Sequence, residues 1–169
     1  NQYNQMGINF SNKLFTDKSL ENFLYIDLIK KIFPNAKFIY CKRNKYANFL
    51  GILKVFLPNL LWTHSIEKII QIMNLYEKKH NEIINENQIQ IKVIELEKLS
   101  NNPEIVLKDL FNFLDLEWDK KFLNKYMTNK NIIQTVSNLQ VRQKISKHDL
   151  SYLDKYIPLL KDYKIENLI

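Results

Sequence analysis

Ile32-Phe33-Pro34-Asn35-Ala36-Lys37-Phe38-Ile39-Tyr40-Cys41-Lys42-Arg43-Asn44 is the stretch on which the fold turns. Its second half, Lys37 to Lys42, is rich in aromatic and β-branched residues and is bounded by Pro34-Asn35 and Arg43-Asn44, a pattern that predicts a β-strand. Ahead of it, Glu21 to Phe33 carries Phe23, Leu24, Leu28, Ile29 and Ile32 at helical spacing, with Ser19 as candidate cap and Pro34 beyond the last turn. After it, a helix is predicted from about Lys45 to Leu57, then a loop around Pro58-Asn59. A long helix follows from Ser65 to about Asn85, with Ile66, Ile69, Ile70, Met73 and Tyr76 on one face. Ile89 to Leu96 alternates and predicts a second strand, and Pro103 suits the first turn of a helix running to Leu114. Asp119 to Tyr126 and Asp149 to Leu160 are further candidate helices, and Lys13 to Thr16 a candidate third strand. Strands separated by helices predict a helix-rich α/β layer, a small parallel sheet flanked by helices. One edge of so small a sheet is expected to be bare, where an upstream strand would pair.

Composition narrows the function. The chain has 169 residues, 46% of them hydrophobic, enough for one domain with a core, and no internal boundary is placed. Its only glycines are Gly7 and Gly51, so a glycine-rich phosphate cradle, a Gly-x-Gly-x-x-Gly fingerprint and a P-loop are all excluded. A single cysteine, Cys41, rules out an internal disulfide and a thiolate zinc cluster; lying in an apolar run, it is expected to be a buried thiol. His64, His80 and His148 lack metal-ligand spacing, so no metal site is expected, and no serine, cysteine or histidine set forms a nucleophile arrangement. The most apolar stretch, Phe49 to Trp62, is interrupted by Lys54 and Pro58 and is shorter than the ~20 residues of a membrane span. Nothing resembles a secretory leader, and a soluble, cytoplasmic protein is the expectation. The formal charge of +7 favours an anionic partner without separating a nucleotide from RNA or a membrane surface.

Three places could carry chemistry. Arg43-Asn44 lies at the carboxyl end of a predicted strand and enters a helix. Ligands bind there in open α/β sheets, and a guanidinium beside a helix N-terminus suits an oxyanion. On spacing alone, a solvated loop charge is the commoner reading. Thr16-Asp17-Lys18 precedes the first helix, and Lys18 could neutralise charge on a leaving group, or simply pair with Asp17 on the surface. Thr135 to Lys144 offers hydroxyls, an amide and two cations in one polar segment, which can wrap a phosphate or form a plain surface loop. Trp62, Trp118 and the many Phe and Tyr side chains are expected mainly in the core, with Trp62, in a polar-flanked loop, open also to lining a substrate cleft.

Taken in order, four segments resemble the PAPS-dependent sulfotransferase family (PAPS is 3'-phosphoadenosine 5'-phosphosulfate), and within it the TPR-associated and tyrosylprotein-like branch. Thr16-Asp-Lys18-Ser-Leu-Glu-Asn22-Phe resembles the family's Asp-Lys-x-Pro-x-Asn segment, and Ile32 to Asn44 its Phe-Pro-x-Ala strand and Arg-(Asn/Asp)-Pro turn. Leu96-Glu97-Lys-Leu99, Asn102-Pro103-Glu104 and Phe113-Leu-Asp-Leu116-Glu-Trp118 resemble the Tyr-Glu-x-Leu, Asn-Pro-Glu and Phe-Leu-x-Leu-x-Trp run. Thr135-Val-Ser137-Asn-Leu-Gln140-Val-Arg142 resembles the Thr-Ala-Ser-x-x-Gln-Val-Arg loop. The similarity runs from about Thr16 to Leu168, and four pieces in register make it specific.

The resemblance implies an incomplete P-loop-NTPase-like sulfotransferase domain over residues 1–169, the C-terminal part of the family's domain. The 5'-phosphosulfate loop and general base would lie upstream of Asn1, leaving this chain inactive by itself. It implies transfer of a sulfonate group from PAPS to a hydroxyl or amine of a carbohydrate, protein or small-molecule acceptor, with 3',5'-ADP as product and no metal. Arg43 would bind the 3'-phosphate, and Thr135, Ser137, Gln140, Arg142 and Lys144 would close over the same nucleotide. Lys18 would act at the leaving oxygen. Three positions depart from the pattern: Gly51 replaces a serine that would also hold the 3'-phosphate, Lys45 a proline, and Leu96 a tyrosine. Two other readings are a basic α/β module binding RNA or another polyanion without catalysis, with nucleic acid the less favoured partner, and a relative that keeps the fold without the activity.

Overall fold

The computed structural model describes residues 14–55, 57–85, 89–125, 147 and 149–160. Its chain divides into two compact units, Asn1–Ala36 and Lys37–Ile169.

In the first unit, residues 14–19 have no regular structure, so Leu14 to Thr16 form no strand, and Lys13 lies outside the described residues. The segment buries little apolar surface: Leu14 is 81% exposed and Phe15 56%, with an edge contact to Phe33, 5.7 Å between ring centroids. The helix expected from Glu21 opens instead as a 3-10 turn, Asn22–Tyr25, and becomes α-helical only at α1, Ile26–Ile32. Ser19 is not its cap: the N-cap position falls on Glu21, without a side-chain cap bond, and Ser19 Oγ accepts the Glu21 N–H at 3.4 Å, while Asp17 accepts the Asn22 side-chain amide at 2.9 Å.

In the second unit, β1 (Phe38–Lys42) and β2 (Ile91–Glu95) pair in parallel, with Phe38 opposite Ile91 and Lys42 opposite Glu95. Parallel pairing needs a long crossover. Here it holds α2 (Lys45–Lys54), a 3-10 turn at Leu61–His64 and α3 (Ile66–Asn85). α4 (Leu96–Asn101) and α5 (Pro103–Phe113) follow β2, then a single turn α6 (Phe122–Lys125) and, near the end, a 3-10 turn Ser151–Lys155 and α7 (Ile157–Leu160). The described residues thus form a helix-rich α/β fold with a small parallel sheet, of two strands rather than three.

Strand alternation directs side chains to helices on both faces. On one face Tyr40 stacks on His80 of α3, with ring centroids 4.1 Å apart. From the other, Lys92 pairs with Asp109 of α5, and Lys37 reaches the far end of the same helix. That end is a Schellman turn: Leu116 N–H bonds Phe111 C=O, Asp115 N–H bonds Asn112 C=O, and Asp115 takes a left-handed φ of 55°.

The best-buried cluster lies off the sheet. Ala47, Phe49 and Leu50 of α2, Ile69 of α3 and Leu153 near the end of the chain pack together, with Trp62, Ile66, Ile70 and Met73 against them. The apolar face of the long helix and the core placement of Trp62 are as the sequence predicts. Cys41 is not: it is exposed. It lies on β1, whereas α4 and α5 cover β2, and Ile94, its partner in register, takes the buried place.

The last two expected helices start later than Asp119 and Asp149: α6 begins at Phe122, and the second opens as the 3-10 turn Ser151–Lys155 before α7. Asp119 Oδ1 accepts the Lys121 N–H and Asp149 accepts both N–H and hydroxyl of Ser151, so these side chains bond the backbone at the entry to each turn. Beside α2, Lys54 lies over the rings of Tyr152 and Tyr156, 5.2 and 5.1 Å from their centroids. No helix among the described residues is long and apolar enough to cross a membrane.

Candidate functional site

β1 ends at Lys42 and α2 begins at Lys45, so Arg43 and Asn44 alone turn the corner. Asn44 has the extended backbone of an N-cap, φ −49° and ψ 131°, and its Oδ1 accepts the Ala47 N–H at 3.0 Å. Its own N–H donates to Glu97 Oε1 at 2.9 Å. Glu97 stands in the first turn of α4, directly after β2. One hydrogen bond therefore ties together the carboxyl ends of both parallel strands, and around it lies a hollow of about 320 Å³ lined by Lys42, Arg43, Asn44, Lys45, Glu95 and Glu97.

Three cations against two carboxylates is an ambiguous count until the partners are assigned. Glu95 pairs with Lys98 at 2.8 Å, Glu97 accepts from Asn44, and Lys45 is held by Glu77 of α3 at 2.5 Å. Arg43 differs. Its Nε is buried and has no hydrogen-bond partner among the described residues. A buried N–H left unpaired costs about 1–3 kcal/mol, so the group calls for an acceptor. The guanidinium lies along α2 toward Gly51, where an added Cβ would meet Nη1 at 3.5 Å, an ordinary van der Waals contact. Gly51 thus borders the arginine directly, with room for a Cβ.

Behind the corner, burial pushes the Tyr40 hydroxyl above its ordinary value, helped by the Glu77 charge, and burial pulls His80 below its own, against the opposing pull of Glu77. Both groups are therefore neutral near pH 7.

Of the residues singled out from sequence, Arg43 occupies this corner. Lys18 belongs to the first unit, exposed on the segment without regular structure, and makes no ion pair with Asp17. Thr135, Ser137, Gln140, Arg142 and Lys144 lie outside the described residues. Sequence reasoning missed Glu77, His80 and the tie from Glu97 to Asn44. The pattern Leu96-Glu97-Lys-Leu99 marked Glu97 as notable but held no sign of a partner 53 positions away. Among the described residues no group of three or more His, Cys, Asp and Glu side chains is placed to hold a metal ion.

Fold and corner together define a parallel α/β protein with an arginine at the carboxyl end of its sheet whose buried Nε has no acceptor among the described residues. A model of the sulfotransferase family matches residues 2–120, more than half of the sequence, and the chain belongs to that family. The match takes in Lys18, Arg43, Gly51 and Glu97 and stops before Thr135. The chain is also similar to an uncharacterized protein of Aquifex aeolicus (strain VF5), 30% identical over 152 residues. That alignment covers 83% of this chain and 19% of the relative, so the chain spans about a fifth of that protein's length.

Proposed function

We propose that this chain carries the 3'-phosphate side of a PAPS site in a sulfotransferase of the TPR-associated and tyrosylprotein-like branch, as the C-terminal part of its catalytic domain. The observation that carries the reading is the buried, unpartnered Nε–H of Arg43 at the end of β1. A phosphate oxygen there accepts from the guanidinium and removes the cost of the orphaned donor. The carboxylates lining the hollow do not forbid an anion, because Glu95 and Glu97 are already engaged by Lys98 and by the Asn44 N–H.

Sulfuryl transfer, like phosphoryl transfer, depends on positioning and on stabilising charge at the leaving group. Arg43 supplies the positioning: it fixes the end of the nucleotide remote from the reacting sulfur. Lys18 supplies charge at the bridging oxygen, and Ser137 and Arg142, with Thr135, Gln140 and Lys144 beside them, cover the nucleotide. The acceptor is a hydroxyl or amine.

Calorimetry with 3',5'-ADP on the intact protein tests this. Replacing Arg43 by Ala weakens binding by about 1–3 kcal/mol. Unchanged affinity in R43A removes Arg43 from the site. Equal displacement of 3',5'-ADP by any oligonucleotide, with a steep salt dependence, replaces the reading with general polyanion binding.

A further inference from the structure

Among the described residues Arg43 Nε has no hydrogen-bond partner, and the contacts that bear on its aim are those made by its neighbours in the chain. Those neighbours are gripped from one place. Glu77 and His80 stand three residues apart on α3, hence on one face of that helix. His80 stacks on Tyr40, three residues before Arg43, with an interplanar angle of 19°. Glu77 pairs with Lys45, two residues after Arg43, and the two side chains are 28% and 29% exposed. At that burial the pair is screened less than a surface bridge.

The position of Lys45 makes this pairing informative. It is the first residue of α2, where aligned N–H groups carry partial positive charge and a lysine is electrostatically out of place. The Glu77 carboxylate reverses that penalty and turns a poor helix start into an anchor.

We propose that Glu77 and His80 are positioning residues, one turn of α3 clasping the β1–α2 corner through Lys45 and Tyr40 so that Arg43 is held in place for its ligand. The effect on ligand rests on the nucleotide reading of Arg43; the clasp itself does not. Proline at the first helical position fixes φ through its ring, and the ψ of 131° at Asn44 is the extended value that a following proline demands. Lys45→Pro can therefore stiffen the corner without Glu77, which gives a rescue experiment.

Two readouts on the intact protein separate the questions. Hydrogen exchange at the Ala47 and Asn48 amides, with no ligand present, reports the corner; calorimetry with 3',5'-ADP reports its consequence. Glu77→Gln is expected to speed that exchange and weaken nucleotide binding about threefold. Lys45→Pro combined with E77Q restores both. His80→Phe, which keeps the stack, leaves both near wild type, whereas His80→Ala speeds exchange. Unchanged exchange in E77Q and H80A overturns the clasp. Tighter nucleotide binding in E77Q also overturns it, since Lys45 would then be a ligand cation that Glu77 withholds, and K45P would weaken binding. If the wild-type protein binds no 3',5'-ADP, the functional reading falls and the exchange arm alone judges the clasp.

Discussion

Lys37 and Arg43 sit at opposite ends of the same strand region, and the protein treats them in opposite ways. Lys37 is saturated: its ammonium donates to the Phe113 carbonyl at 2.6 Å and to Asp115, and lies 5.5 Å from the centre of the Phe113 ring. Asp115 is 82% exposed, so that ion pair contributes little. The bond to the carbonyl, at the negative end of α5, is worth more, about 1 kcal/mol. Arg43 keeps a buried donor without an acceptor among the described residues. The first cation is satisfied within the fold; the second is left open to a ligand of the kind proposed above.

The sharpest way to break that contrast is Arg43→Ala. It should cost about tenfold to a hundredfold in 3',5'-ADP affinity by calorimetry, yet change unfolding free energy in urea by no more than about 1 kcal/mol, because no internal hydrogen bond of Nε is lost. Lys37→Met should show the inverse: a loss of about 1–2 kcal/mol in the same urea titration, with nucleotide affinity unchanged.

Gly51→Ser should sharpen the comparison from the arginine side. An added Cβ meets Nη1 at an ordinary contact distance, and a hydroxyl carried there should raise affinity by about 0.5–1.5 kcal/mol. Stability should rise by a few tenths of a kcal/mol from replacing a helical glycine. A fall in affinity would place the phosphate away from α2.

The smallest expected effect is a pH dependence behind the corner. Burial lowers the His80 pKa, so the unfolded chain binds its proton more readily than the folded one. This contribution to stability is whole above the ordinary histidine value of about 6.5 and is lost as pH falls through that value toward the lower folded one. His80→Phe should flatten this part of the stability curve, measured by urea unfolding at stepped pH.

How much of this the sequence disclosed depends on how local the cause was. β1, β2 and the long helix α3 are legible to within about two residues, because alternation and a 3.6-residue apolar stripe are properties of the segments themselves. Exposure of Cys41 was not legible, since which strand the later helices cover is decided by residues far along the chain. The later starts of the helices after Asp119 and Asp149 go with side-chain bonds to the backbone at their entry, a signal the hydrophobic pattern omits. At the site, the strand-to-helix arginine was visible, whereas its orphaned Nε, the Glu97 tie and the Glu77 and His80 clasp depend on tertiary contacts.

The burial of Phe49 against Leu153 also bears on how the protein is made. Those two residues are separated by about a hundred positions, and they belong to one buried cluster with Ala47, Leu50 and Ile69. Contacts so distant in sequence form slowly, because a long loop must close before they return any stabilisation. A chain leaving the ribosome has synthesised Arg43, Gly51 and both strands well before Leu153 emerges. The cluster behind α2 is therefore completed only when the late segment arrives, and a chain stopped short of residue 150 should leave Phe49 less well covered.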